Sequence, residues 1–153
     1  MRNKKLLALQ QLDLKLKQFQ GTEKIKFPPG GWVNNIRTSL NMTLEQLGNK
    51  LGISKSGVKN LEEREASGTI SIQYLNDIGK ALDLKFVYGF VPNHGSFEKL
   101  VEAKAHEMAA KIIDRTSQNM ALEDQAVNKD RLNQAIEELA MDIKREVRKS
   151  LWD

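Results

Sequence analysis

Residues 43–61, TLEQLGNKLGISKSGVKNL, predict two short helices that are joined by a tight turn. Thr43 is suited to cap the first helix, and Gln46 stands three residues later, where it completes a capping box. Gly52 stands where that helix would end in a left-handed residue, and Ser54 then offers an N-cap for the second helix. The spacing therefore favours two helices that cross at a steep angle over a tight turn.

The apolar residues of this stretch recur at helical spacing. They are Leu44, Leu47 and Leu51 in the first helix, and Val58 and Leu61 in the second. Gly48 lies where the second helix would approach the first most closely, and the absence of a side chain there would leave room for that approach. An arbitrary helical hairpin is the alternative interpretation, and it requires the glycines and both caps to coincide by chance.

Length and composition limit the class of protein. The chain has 153 residues and no cysteine. This length predicts one domain, or one small domain with helical extensions. The lack of cysteine excludes a disulfide scaffold, cysteine catalysis and thiolate metal sites. No apolar run reaches the length of a membrane span, and the polar residues Gln10, Gln11 and Asp13 argue against a signal peptide. We therefore expect a cytoplasmic protein without membrane contact.

The charge is distributed unevenly along the chain. Residues 1–92 hold 14 Lys/Arg and 8 Asp/Glu, a net charge of +6, whereas residues 93–153 hold 10 and 12, a net charge of −2. This split favours a polyanion as the partner of the front half and a protein as the partner of the back half. Ordinary solvated charge is the alternative.

The segments around the two-helix motif also carry helical patterns. An amphipathic helix is predicted over residues 3–20, and the Pro-Pro-Gly-Gly sequence at 28–31 ends the connector that follows it. Another helix starts at Trp32 and leads into the motif. After the motif we expect a loop at residues 65–69 and then a helix that Ser71 caps.

Residues 83–92 change to a period of two, which predicts a short β-strand that Pro92 ends. The alternating apolar residues on one side of this strand are Leu84, Phe86, Tyr88 and Phe90. A lone strand cannot satisfy its backbone polar groups, and the chain shows no second convincing strand. We therefore expect this strand to pair with the same strand of a second subunit in a homodimer.

The remaining residues predict helices with apolar stripes. Ser96 is suited to cap a long helix, and Asp130 is suited to begin the last one. The stripe of the last helix consists of Leu132, Ile136, Leu139, Ile143 and Val147. These stripes exceed what a small helical core needs, so they favour a dimer surface or a partner surface as well as a core.

The second helix of the motif predicts a DNA-reading surface. Its outer face holds the four expected base-facing residues, Lys55, Ser56, Lys59 and Asn60. Lysine can donate to guanine, asparagine can pair with adenine, and serine can bond to either base type. A solvated helix face is the alternative interpretation of the two lysines.

Other residues of this region suit the DNA backbone. Thr43 and Ser54, at helix N-termini, and Arg64, beyond the recognition helix, are expected to contact phosphates. Glu62 and Glu63 would oppose DNA. We therefore expect at least one of them to turn inward or to pair with a basic neighbour.

The sequence from Ile36 to Glu63, followed by SIQYLNDIGKALDL at 71–84, resembles the Xre/Cro-type helix-turn-helix family. The resemblance covers about residues 33–84 and includes Leu47-Gly48, Gly52-Ile53-Ser54 and Leu61-Glu62. It implies that Lys55, Ser56, Lys59 and Asn60 occupy the base-facing positions of the family. The family often has glutamine at the start of the first motif helix, and Leu44 replaces it here.

Nearly the whole chain resembles a narrower group of Xre-like proteins, "mobile mystery protein A". The stretches that carry this resemblance are PPGGWVNNIR, LKFVYGFVP, MALEDQAV and the closing LWD. The resemblance implies a mobile-element or toxin–antitoxin setting with a Fic-domain companion protein. Some Fic antitoxins carry an inhibitory pattern of Ser/Thr, three residues, Glu and then Gly/Asn. That pattern is absent, because Asn119 stands four residues before Glu123 and Asp124 follows.

The expected fold is mainly α: an Xre/Cro-like helix-turn-helix bundle with one short β-strand and N- and C-terminal helical extensions. Its expected divisions are an N-terminal helix and connector at 1–27, the DNA-binding domain with the strand at 28–92, and a helical dimerisation or partner region at 93–153. The expected partners are double-stranded DNA with a palindromic operator, a second copy of the chain and a Fic-domain companion.

Three functions compete at this point. The first is a dimeric, autoregulating repressor of a small operon. The second is an antitoxin that acts mainly by inhibiting its companion through protein–protein contacts. The third is an enzyme, for which Glu102 and His106 on one helix are the best pair. A surface pair explains those two residues more simply, and no phosphate-binding glycine loop or nucleophile motif is present. We therefore expect no catalytic residues, no metal and no cofactor.

Overall fold

The computed structural model describes residues 3–122 and 129–153. Two compact units divide the chain: Lys24–Tyr88 is one, and Met1–Glu23 with Gly89–Asp153 is the other. The described residues contain seven α-helices: α1 (Lys4–Leu16), α2 (Trp32–Ser39), α3 (Leu44–Leu51), α4 (Lys55–Ser67), α5 (Ile72–Ala81), α6 (Phe97–Leu122) and α7 (Lys129–Glu146). Short 3₁₀ helices cover Lys17–Phe19, Thr22–Lys24 and Lys149–Trp152. The expectation of a mainly helical chain is thereby confirmed.

The unit Lys24–Tyr88 has a core built from α2 to α5. Its buried apolar residues are Val33, Leu47, Val58, Leu61, Ile78 and Leu82. Leu47 of α3 and Val58 of α4 are completely buried, as expected for the two helices of the motif. Each helix of this unit therefore buries one apolar stripe and leaves a polar face exposed.

Local capping fixes the ends of α3 and α4 as the sequence predicts. The hydroxyl of Thr43 accepts a hydrogen bond from the Gln46 amide at 3.0 Å, and the Gln46 side chain accepts one from the Thr43 amide at 2.9 Å. Gly52 is left-handed, with a φ of 69°, and ends α3. Ser54 then caps α4 by accepting from the Gly57 amide at 3.1 Å.

Gly48 allows the turn to pack directly against α3. A Cβ atom built on Gly48 would lie 2.6 Å from the carbonyl oxygen of Ile53 and 3.4 Å from a methyl group of Val58. Because the first of these neighbours is backbone, it cannot move aside cheaply. The sequence-based expectation of a close approach at Gly48 is confirmed.

The other unit has its own core between α6 and α7. The buried residues of that core are Val101, Ala105, Ala109, Ala140, Ile143 and Leu151. The N-terminal helix α1 belongs to this unit, where its Leu9 packs against the core. The Asp13 carboxylate accepts hydrogen bonds from the amides of Phe97 at 2.6 Å and Glu98 at 3.2 Å. A residue of α1 thus helps to cap α6, together with the expected cap Ser96.

An ion-pair group also joins α6 to α7. The Lys144 ammonium lies 2.7 Å from a carboxylate oxygen of Glu102 and 3.1 Å from one of Glu98. Burial lowers the pKa of Lys144, but the hydrogen bonds and charges of the two glutamates outweigh it and raise the pKa above its ordinary value. The charged form of Lys144 therefore stabilises the packing of these helices below the ordinary lysine pKa, and the effect is lost as the pH rises through the elevated pKa.

Two expectations of secondary structure are wrong. The residues 84–91 form no β-strand within the described part of the chain, because a strand needs a ladder partner and a single chain supplies none here. The loop expected at 65–69 is also wrong in part. Residues 65–67 belong to α4, which continues through Ser67 and ends at the left-handed Gly68. Of the MALEDQAV stretch, residues 123–127 lie outside the described residues.

A matched pair of glycine substitutions tests the packing of the turn. Gly48→Ala should lower the free energy of unfolding by about 1–3 kcal/mol, because the added methyl group overpacks against backbone. Gly57→Ala is the control, since its Cβ would lie 3.3 Å from the nearest side-chain atom, Ser54 Oγ. It should change stability by less than about 1 kcal/mol.

Urea unfolding followed by Trp32 fluorescence, in a Trp152→Phe background, measures these changes in the unit Lys24–Tyr88. An equal cost for both substitutions would contradict the close approach at Gly48.

Candidate nucleic-acid interface

One side of α4 is exposed and polar. The four expected base-facing residues, Lys55, Ser56, Lys59 and Asn60, are all exposed to solvent. On the opposite side, Val58, Leu61, Glu62 and Glu65 are buried. The structure therefore brings the four residues together on one face of the helix. Their contacts with bases stay a prediction.

The two lysines of this face carry unpaired charge. Within the described residues, neither Lys55 nor Lys59 forms an ion pair or a side-chain hydrogen bond. Each ammonium group is therefore available for an acceptor from outside the chain. Ser56 differs, because its hydroxyl lies 3.2 Å from the hydroxyl of Ser54.

The three expected backbone-contact residues lie at the ends of helices. Thr43 and Ser54 use their hydroxyl oxygens as acceptors for the caps of α3 and α4. The Thr43 hydroxyl proton remains available for donation, whereas the Ser54 hydroxyl also shares a hydrogen bond with the Ser56 hydroxyl. Arg64 donates from Nη2 to the carbonyl oxygen of Thr69 at 3.3 Å, so its guanidinium is held beside the end of α4. Contacts of these three residues with phosphate also stay a prediction.

Glu62 turns inward from α4 and forms a buried ion pair with Arg37 of α2. The Arg37 Nη2 atom lies 2.8 Å from Glu62 Oε1, and Arg37 Nε donates to both carboxylate oxygens at 3.0 and 3.2 Å. Asn34 donates to the same carboxylate at 3.2 Å, and Arg37 also donates to the Met42 carbonyl at 2.8 Å. The expectation that Glu62 or Glu63 would turn inward or pair is confirmed by Glu62.

Glu65 forms a second link between α4 and α2, which the sequence analysis missed. Its carboxylate accepts hydrogen bonds from the backbone amides of Trp32 at 3.0 Å and Val33 at 2.7 Å. A Cβ atom at Gly31 would lie 3.0 Å from a Glu65 oxygen, so glycine is needed for this approach. The available signal was that α2 begins after Gly30-Gly31, without a capping side chain of its own.

Because these two carboxylates are buried, the surface of the unit has a higher net positive charge than its composition gives. Lys24–Tyr88 contains nine Lys/Arg and six Asp/Glu. Arg37, Glu62 and Glu65 are buried, so the surface presents eight basic and four acidic side chains. A net surface charge of +4 suits a polyanionic partner. Glu63 is the one exposed acid of α4.

Residues 33–88 match a family model described as helix-turn-helix. They form an Xre-like helix-turn-helix domain. The match covers α2 to α5, except for Trp32, and includes the exposed face of α4. This match suggests a DNA-binding transcription regulator. Comparisons with curated proteins and with solved structures found no match.

The residues considered for an enzyme serve structural contacts. The expected Glu102–His106 pair is not formed: His106 Nε2 lies 3.1 Å from Glu137, and Glu102 instead binds Lys144. Among the described residues, no group of three or more His, Asp or Glu side chains could hold a metal ion. In the same residues, no helix has the length and hydropathy that crossing a membrane requires.

Substitution of two adjacent glutamates, one buried and one exposed, tests the ion pair of Arg37 and Glu62. Glu62→Ala should cost about 3–5 kcal/mol of unfolding free energy, because it leaves Arg37 buried without its counter-charge. Glu63→Ala, on the exposed side of the same helix, should change stability by less than about 0.5 kcal/mol.

Trp32 fluorescence in the Trp152→Phe background again reports on this unit. A cost below about 1 kcal/mol for Glu62→Ala would show that the pair does not anchor α4.

Proposed function

We propose that the protein is a sequence-specific DNA-binding transcription regulator that acts as a repressor. The observation that carries this proposal is the exposed face of α4, where two unpaired lysines stand beside Ser56 and Asn60 within a helix-turn-helix domain. In such domains the second helix of the motif enters the major groove with its N-terminal residues nearest the bases. Lys55 and Ser56 are the first two residues of α4, which supports this proposal.

The base-facing residues would have different roles. Lys55 and Lys59 would donate to the O6 and N7 acceptors of guanine, Asn60 would pair with adenine, and Ser56 would bond to either base type. Thr43, Ser54 and Arg64 would donate to phosphates and so fix the orientation of α4 on the duplex. Leu44 packs against the core, so it offers no polar group for a phosphate contact at that position.

The repressor would bind as a homodimer to a palindromic operator. Two recognition helices related by a two-fold axis read half-sites that lie about one helical turn apart. This arrangement doubles the number of base contacts and of neutralised phosphates. Binding should therefore weaken steeply as the salt concentration rises.

The operon setting of this proposal comes from the resemblance to the "mobile mystery protein A" group. On that basis the protein would repress its own operon in a mobile element, as an antitoxin-like component beside a Fic-domain companion, and it would act in the cytoplasm. The unit that contains α6 and α7 is the candidate surface for the companion. It exposes Ile112 and Met141 as well as polar residues.

The alternative proposal is an antitoxin that inhibits the companion by direct contact, with DNA binding secondary. Variants of α4 separate the two proposals because they alter DNA contacts and leave the other unit unchanged. If a Lys55→Ala, Asn60→Ala variant releases repression of the operon but still protects cells from the companion, inhibition by contact is supported.

The proposed base contacts predict a loss that depends on DNA sequence. After the preferred site has been selected from random duplexes, Lys55→Ala or Asn60→Ala should weaken binding to it by about 1–3 kcal/mol and relax one position of the site. Lys80→Ala removes an equal charge from the exposed side of α5 and is the control. It should leave the preferred sequence unchanged.

Titration of labelled duplexes at several salt concentrations measures these effects. If the α4 variants lose the same affinity for the selected site and for random DNA, these residues contact phosphates and do not read bases.

A further inference from the structure

A groove of 640 Å³ opens on the surface of the unit Lys24–Tyr88. Its walls come from α2, from α5 and from the residues next to α5, and most of the side chains that form them are apolar. Six of these are Val33, Ile36, Ile70, Leu75, Ile78 and Phe86. The volume lies within the range of about 300–1,000 Å³ that is typical of small-molecule sites, which are also mostly apolar.

A buried carboxylate stands in the wall of this groove. Among the described residues that line it, Glu65 is the only acid, and it is 7% exposed. Its Oε2 atom accepts from the Trp32 amide at 3.0 Å, and its Oε1 atom accepts from the Val33 amide at 2.7 Å. Each carboxylate oxygen has two lone pairs, so Glu65 can accept further hydrogen bonds from a ligand in the groove.

The charge of Glu65 has no cationic partner in the part of the chain that the structure describes. Arg37, the buried base of this unit, pairs with Glu62 instead. Lys85 also lines the groove, but it is exposed and forms no ion pair within the described residues, so its charge is solvated. Burial of a carboxylate is costly unless it is compensated, and a cation in the groove would supply the missing counter-charge.

Two exposed aromatic residues also line the groove. The rings of Phe27 and Trp32 meet edge to face, with centroids 6.1 Å apart, and the residues are 55% and 41% exposed. Aromatic rings pack against other apolar groups, and their faces attract cations. The groove therefore combines an apolar wall with two features that favour a positive charge, the Glu65 carboxylate and the aromatic pair.

We propose that this groove binds a small apolar amine, a molecule with an aliphatic or aromatic body and one protonated amino group. The amino group would donate a charge-assisted hydrogen bond to Glu65. The apolar body would lie between α2 and α5 and would remove their exposed apolar side chains from water. The proposal requires neither DNA nor a second copy of the chain, so it is independent of the DNA-binding function.

The bound amine would contact the residue that joins α4 to α2. Glu65 belongs to α4, and its carboxylate holds the first amides of α2. A ligand that binds only the folded unit also stabilises it, by an amount that rises with ligand concentration. The site would therefore place a small molecule where it can act on the packing of the helix-turn-helix.

Three probes with the same body and different head groups test the proposal: phenylbutylamine, phenylbutanol and phenylbutyrate. Trp32 fluorescence follows their binding to the full chain in the Trp152→Phe background, which leaves one tryptophan. The Kd of the amine should be lower than that of the alcohol by about tenfold or more, the usual effect of a hydrogen bond to a charged group. The carboxylate probe should bind most weakly, because Glu65 repels it.

Two adjacent residues of α4 supply matched variants. Glu65→Gln keeps an acceptor oxygen but removes the charge, and should reduce the preference for the amine over the alcohol to less than about threefold. Glu63→Gln removes an equal charge from the exposed side of the same helix and should keep the preference. Urea unfolding checks that each variant is folded.

A variant of Lys85 tests the same site without altering the link between α4 and α2. Lys85→Glu places a negative charge in the wall, so the amine should bind more tightly and phenylbutyrate more weakly. The ratio of their Kd values should change by about threefold or more. Lys80→Glu makes the same charge change on the exposed side of α5, outside the groove, and should leave the ratio unchanged.

Several results would overturn the proposal. Equal Kd values of the amine and the alcohol would show that Glu65 does not recognise a cation. Absence of binding by all three probes at about 10 mM, where an ordinary ligand efficiency would fill most of the sites, would show that the groove takes no ligand of this class. An amine preference that persists in folded Glu65→Gln, or a Kd ratio that Lys85→Glu leaves unchanged, would place the bound amine elsewhere.

Discussion

Two carboxylates on the inner side of α4 determine how the recognition helix is held. Glu62 pairs with Arg37 in the body of α2, and Glu65 accepts from the first amides of α2. The two glutamates are three residues apart on one helix face, so they fix both the position of α4 along α2 and its rotation. That rotation places Lys55 and Lys59 outward.

The same arrangement accounts for the charge of the surface. A buried carboxylate needs a partner, and here each one finds it within the domain. Acidic groups that would otherwise repel DNA are thus used for packing, and the lysines remain without counter-ions. The cost of burying an ion pair means that Arg37 and Glu62 add specificity of orientation more than net stability.

Sequence reasoning succeeded where the signal is local and failed where it depends on distant partners. The caps at Thr43 and Ser54 and the turn at Gly52 involve groups within a few residues, so their pattern could be recognised directly. The role of Glu65 depends on amides more than thirty residues away, and only the uncapped start of α2 hinted at it. The predicted strand failed because alternation specifies an extended backbone, whereas a ladder requires a partner that the sequence of one chain does not supply.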